Sequence, residues 1–134
     1  MDEAVILETT FLIDLERDRR AGKPGPAMGL LRRLGPARLC ITHVVAGELA
    51  AGLSLSSREA WEAFVAPFRL LDHTSDVDWH YGRLFRHLQA DGRLIGANDL
   101  WTAATALAHG LPVVTRNQKH FRRIPDLRVL TYGA

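Results

Sequence analysis

Cysteine is almost missing from the chain: Cys40 is the only one in 134 residues, so no intramolecular disulfide can form. It lies in the apolar run Leu39-Cys40-Ile41, where a thiol acts as a small packing group, and the scarcity suits a reducing compartment. No apolar run approaches the roughly 18 residues of a membrane helix, and no basic-then-apolar leader is present. Neither membrane insertion nor secretion is therefore expected, and a cytoplasmic location is. Repeats, low-complexity tracts and interdomain linkers are also lacking. Charge of neither sign dominates, because 17 Lys and Arg against 15 Asp and Glu leave +2, which alone decides nothing about nucleic acid. What is present is core material. With 47% hydrophobic and 24% charged residues, the sequence fits one globular domain over residues 1–134.

The stretch from Ile95 to Asn117 organises the rest. Asn98 and Asp99 are helix-starting residues, Leu100, Ala103, Ala104 and Leu107 recur at helical spacing, and Gly110 with Pro112 stops the run. Pro112 to Thr115 is then an inner strand. A helix feeding a short apolar strand through a glycine turn is half of a βαβ unit, which predicts a parallel sheet. Further strands are expected at Ala4–Leu7, Arg38–Ile41, Phe68–Leu71 and Leu127–Leu130. Helices are expected at Phe11–Arg20, Ala27–Leu34, His43–Leu53 with Thr42 as its cap, Arg58–Val65 and Asp76–Ala90. Ala21 to Pro26 holds two glycines and two prolines and reads as loop, and Phe121 to Pro125 as a short connection. The alternation defines an α/β sandwich with four or five short, mainly parallel strands.

Three acids stand out in this frame. Glu8 directly follows the first strand and so lies at a carboxyl end, where ligands of parallel sheets gather; it reads either as a helix cap or first-turn acid or as a site residue. Glu48 has Val44, Val45, Ala51 and Gly52 three and four positions away, so its helix face carries no other polar group. Either its tip reaches water at an edge or something pairs with it. Asp99 is a first-turn acid or a third member of the same group. If the three meet at one rim, mutual repulsion raises their pKa values unless a cation joins them. An oxygen-only set suits Mg²⁺ or Mn²⁺ and argues against Zn²⁺, since none of the six histidines pairs with another or with Cys40 at a zinc spacing. Phosphodiester hydrolysis is the chemistry such a site serves.

Three segments, VILETTFLIDL at 5–15, ITHVVAGELAAGL at 41–53 and IGANDLWTAATALAHGLPVVTRNQKHF at 95–121, together resemble PIN-domain proteins, specifically the VapC-type ribonuclease toxins of type II toxin–antitoxin pairs. The resemblance spans nearly the whole chain in family order. It implies an α/β/α fold, Mg²⁺- or Mn²⁺-dependent endoribonuclease activity on RNA, homodimerisation, and neutralisation by a small VapB-like antitoxin threading near Phe11 to Arg20. Carried over by residue, it makes Glu8, Glu48 and Asp99 the metal ligands and Asn117 the fourth catalytic position. Glu8 stands where the family usually has Asp, adding a methylene that extends its reach by about 1 to 1.5 Å. Asn117 replaces a fourth acid and adds no charge, and His120 occupies a place where many relatives have Asp.

Thr9, Thr10 and Thr115 are expected to orient ligands or water as hydroxyl donors. Arg116, Lys119, Arg122 and Arg123 follow the site and are candidates for holding the RNA backbone, although such basic runs also read as solvated faces. Trp79 and Trp101 are stacking candidates against a simpler role in helix packing. A second function remains open, a degenerate module on this fold that binds RNA or the antitoxin without cutting, motivated by Glu8, Asn117 and His120. A haloacid-dehalogenase-like enzyme lacks support, since Glu8-Thr9-Thr10 is no Asp-x-Asp nucleophile motif.

Overall fold

The computed structural model describes residues 3–132. Its strands are β1 (Ala4–Leu7), β2 (Arg38–Ile41), β3 (Arg69–Leu70), β4 (Val113–Val114) and β5 (Val129–Leu130). They form one sheet in the order β3-β2-β1-β4-β5, and every pairing is parallel. The helices are α1 (Thr9–Ala21), α2 (Pro26–Leu34), α3 (His43–Ala51), α4 (Arg58–Val65), α5 (Ser75–Ala90), α6 (Ala97–His109) and α7 (Gln118–Phe121).

Both faces of the sheet are covered, which is why its central strands are apolar throughout instead of alternating. Val5, Leu7, Ile41 and Val114 point to one side and pack with Phe11, Leu12 and Leu15 of α1 and with Val45 and Leu49 of α3. Ile6, Cys40 and Val113 point to the other and pack with Leu84 and Leu88 of α5 and Leu100, Ala103 and Ala104 of α6. Ala103, Ala104 and Ala106 of α6 are fully covered, consistent with its close packing on α5. Each such large apolar side chain contributes about 1.5 to 3 kcal/mol on burial. The result is the α/β/α sandwich that the alternation of elements predicts. Cys40 is 1% exposed and packs in the core, and burial pushes its thiol up.

Strand order positions the site. From β1 the chain moves outward to β2 and β3, then crosses back to place β4 on the other side of β1. A crevice opens at the carboxyl ends of strands where the winding reverses, here between β1 and β4. Glu8 and Thr115 are the next residues after those two strands, and the Glu8 N–H donates to the Val114 carbonyl at 3.0 Å.

Local expectations fared unevenly. Thr42 caps α3 by accepting from the Val45 N–H at 3.1 Å, and Gly110 ends α6 with φ 68°. Asn98 and Asp99, however, do not cap α6. The N-cap is Gly96 without a side-chain bond, and both residues lie in the first turn, their side chains spent on contacts with Glu48, Asn117 and His120. The helix expected to Leu53 stops at Ala51, and a 3-10 turn follows at Leu53–Leu55. Helix α7 was not expected; a single turn is too short to show a repeat, and it is anchored by Phe121, which is fully buried. No helix among the described residues is long and apolar enough to cross a membrane.

Candidate active site

Glu8 occupies the N-cap position of α1 yet makes no cap bond. Its carboxylate is turned toward hydroxyls: Thr115 donates to Oε1 at 2.5 Å and Thr10 to the same oxygen at 2.6 Å. Each hydroxyl has only one proton to donate, and a backbone amide occupies one of its two acceptor lone pairs. The Arg116 N–H donates to Thr10 Oγ1 at 3.0 Å and the Asn117 N–H to Thr115 Oγ1 at 2.8 Å. Glu8 is only 3% exposed, and burial pushes its carboxyl above the ordinary value near 4.5; the hydroxyl donors pull it back, and the Asp99 charge adds to the upward push.

Glu48 reaches the same neighbourhood from α3. Its Oε1 accepts from Thr9 at 2.7 Å, and its Oε2 has the longer 3.4 Å contact with the Asn98 amide. The residue is half-buried, so it neither points freely into water nor sits unpaired in the core. Asp99 projects from the first turn of α6, where a negative charge is favoured by the helix dipole. Its Oδ2 faces His120 Nδ1 at 3.1 Å and the Asn117 amide at 3.4 Å. Asn117 and His120 also touch one another at 2.9 Å.

Two connections therefore run through the three acids. Thr9 and Thr10 are adjacent and hold Glu48 and Glu8, while the Thr115 to Asn117 turn joins Glu8 to Asp99. In kind, the donors fit a hard divalent cation. Each carboxylate has one oxygen fixed by a side chain of the protein, and the second oxygen of Glu8, Glu48 and Asp99 carries no short side-chain bond. In spacing they do not form a finished cage: among the described residues no three His, Cys, Asp or Glu side chains gather closely enough to hold an ion. Mg²⁺ commonly relies on one or two carboxylates, retained water and substrate phosphate, so a closed cage of three is not what it requires.

The basic residues divide. Arg116 pairs with Asp14 at 2.9 Å, and Arg123 donates to the carbonyls of Leu94 and Arg93 at 3.0 and 3.4 Å. Lys119 and Arg122 are exposed and make no ion pair among the described residues. Trp101 stacks on Tyr81 at 3.8 Å, which is helix packing, and Trp79 is 64% exposed with Arg86 over its ring. A cavity of about 400 Å³ lined by Ala50, Leu55, Arg58 and Trp61 contains none of the acids.

Sequence reasoning missed Asp14 and Tyr132. Asp14 is four residues after Thr10 on α1, a spacing that places both on one helix face, so a signal existed. Tyr132 meets Asp14 across 118 residues, and nothing local announces that contact.

The domain is a parallel α/β/α sandwich in which hydrogen bonds link three acids about the reversal of the strand order. The chain belongs to the PIN-domain family, whose model matches residues 5–127. Relatives of the chain in that family include VapC proteins. It is 34% identical over 129 residues to "Ribonuclease VapC1" of Haemophilus influenzae, covering 92% of this chain and 93% of that one. To "tRNA(fMet)-specific endonuclease VapC" of Salmonella typhimurium it is 31% identical over 101 residues, 72% and 76% of the two chains. Among solved structures, VapBC2 of Rickettsia felis, bound to a DNA fragment from its promoter, superposes with TM-score 0.81 at 26% identity, covering 97% of this chain and 99% of that one.

Proposed function

We propose that the chain is an endoribonuclease of the VapC type, a single catalytic domain over residues 1–134 that hydrolyses RNA phosphodiester bonds with Mg²⁺ or Mn²⁺. The observation that carries this reading is the hydrogen-bond linkage of Glu8, Glu48 and Asp99 at the β1–β4 crevice. When bound there, a divalent cation supplies Lewis acidity, activating water and neutralising charge on the attacking and leaving oxygens. Glu8, Glu48 and Asp99 would hold it through their less encumbered oxygens. Thr9, Thr10 and Thr115 keep the carboxylates of Glu48 and Glu8 in place, and Asn117 and His120 do so for Asp99. Lys119 and Arg122, with unpaired heads, are best placed of the four basic residues to hold the RNA backbone. The chain is read as the toxin of a pair silenced by a small VapB-like antitoxin, a reading that its likeness to VapBC assemblies supports, and as a cytoplasmic homodimer. The test is cleavage of cellular RNA by purified protein with Mn²⁺, Mg²⁺ or EDTA. Cutting that persists undiminished in EDTA contradicts the reading.

One observation favours a second reading, a module that binds RNA or antitoxin without cutting: the acids do not form a ready cage. Titration with Mn²⁺ separates the two, because a module that has lost its site shows no saturable binding below millimolar concentration.

A further inference from the structure

The last described residues return to the rim. Tyr132, two residues beyond β5, packs edge-on against Phe11 with ring centroids 5.0 Å apart and donates its hydroxyl to Asp14 Oδ2 at 2.6 Å. The other oxygen of Asp14 accepts from Arg116 Nη1 at 2.9 Å, with Arg17 farther off at 3.5 Å. From Arg116 the connection continues through its own backbone, since its N–H donates to Thr10 Oγ1 and Thr10 donates to Glu8. The whole path from Tyr132 to Glu8 is thus continuous. Asp14 is well shielded, with 16% of its side chain exposed. Burial and the Asp14 carboxylate both push the Tyr132 phenol above its usual value, so it remains a donor. Hydrogen bonds to an ionised carboxylate are the strong kind.

We propose that Tyr132, Asp14 and Arg116 are a positioning unit: they clamp the turn after β4 onto α1, hold the Arg116 N–H on Thr10, and thereby aim the Thr10 proton at Glu8. The physical point is the single proton of a hydroxyl. With the Arg116 amide on one lone pair of Thr10 Oγ1, the rotor is biased so that its proton faces Glu8; without that amide the rotor is freer to donate elsewhere. The clamp also occupies the Arg116 guanidinium, which leaves RNA contact to Lys119 and Arg122. The catalytic half of this inference rests on the nuclease reading of Glu8, whereas the clamp itself does not.

Two variants test it, Tyr132→Phe, which keeps the ring on Phe11 and removes only the donor, and Asp14→Asn, which keeps the shape and removes the charge. Amide exchange at Arg116 is read by NMR, alongside kcat and KM for RNA cleavage with Mn²⁺. The expected result is about tenfold faster Arg116 exchange in each variant, the size of one lost charge-assisted hydrogen bond. A fall of a few-fold in kcat at unchanged KM should accompany it, with exchange in the β1 strand unaltered. Arg116 exchange equal to wild type, or a change in KM alone, overturns the proposal. A wild-type protein that does not cut RNA defeats the nuclease reading, while the exchange result still decides the clamp. Should one variant fail to fold, the other supplies the same readouts.

Discussion

Glu8 and Asp99 belong to one rim but are held in different ways. Glu8 continues the central strand, is 3% exposed, and rests on two hydroxyls that are themselves fixed by main-chain amides. Asp99 stands in the first turn of a helix with 21% of its side chain exposed, and its partners are an amide and an imidazole from the α7 region. The first acid is placed by the fold and resists ionisation through burial. The second is placed by side chains that water can replace. One rim thus combines a rigid, reluctant charge with an accessible one.

The comparison breaks most severely when charge is removed from the accessible side. Asp99→Asn, and likewise Glu48→Gln, should reduce RNA cleavage on the order of 10²- to 10³-fold, the cost of losing one preorganised electrostatic group, with an unchanged circular dichroism spectrum. Next in size is the loss of support on the rigid side. Thr115→Val leaves the buried Glu8 carboxylate short of a donor and should lower unfolding free energy by about 1 to 3 kcal/mol, measured by urea denaturation without metal.

The smallest effect is one of pH. Because burial raises the Glu8 carboxyl above its ordinary value near 4.5, the folded state binds its proton more tightly than the unfolded state does. That stabilisation is fully present below about pH 4.5 and is lost as pH rises through the higher folded value. Glu8→Gln, which cannot ionise, should melt above wild type at neutral pH, with the gap closing as the pH is lowered toward 4. A gap that widens in acid would mean the burial of Glu8 is not what governs it.

Much of this was legible in the sequence because it is set locally. Short apolar runs followed by polar residues, Ala4–Leu7 and Leu39-Cys40-Ile41, mark β1 and β2, and the Gly110-Pro112 stop marks the end of α6, so the parallel sandwich and the rim positions of Glu8 and Asp99 followed from spacing alone. Glu48 was visible as a lone acid on an apolar helix face. What escaped was nonlocal or too short. Asn98 looked like a cap but spends its amide on Glu48, fifty residues away. Arg116 and Arg123 read as candidates for the RNA backbone, yet Asp14 and the carbonyls of Arg93 and Leu94 take them up. Helix α7, which delivers His120 to Asp99, offers one turn and no periodicity.

The central claim is that Glu8, Glu48 and Asp99 act as one ion-binding set. A crystal soaked in Mn²⁺ and measured at the manganese absorption edge tests it most directly. The account predicts an anomalous peak within about 2.0 to 2.3 Å of carboxylate oxygens from at least two of these residues, with water filling the remaining positions. A peak seated on other residues, or none at saturating Mn²⁺, would contradict it.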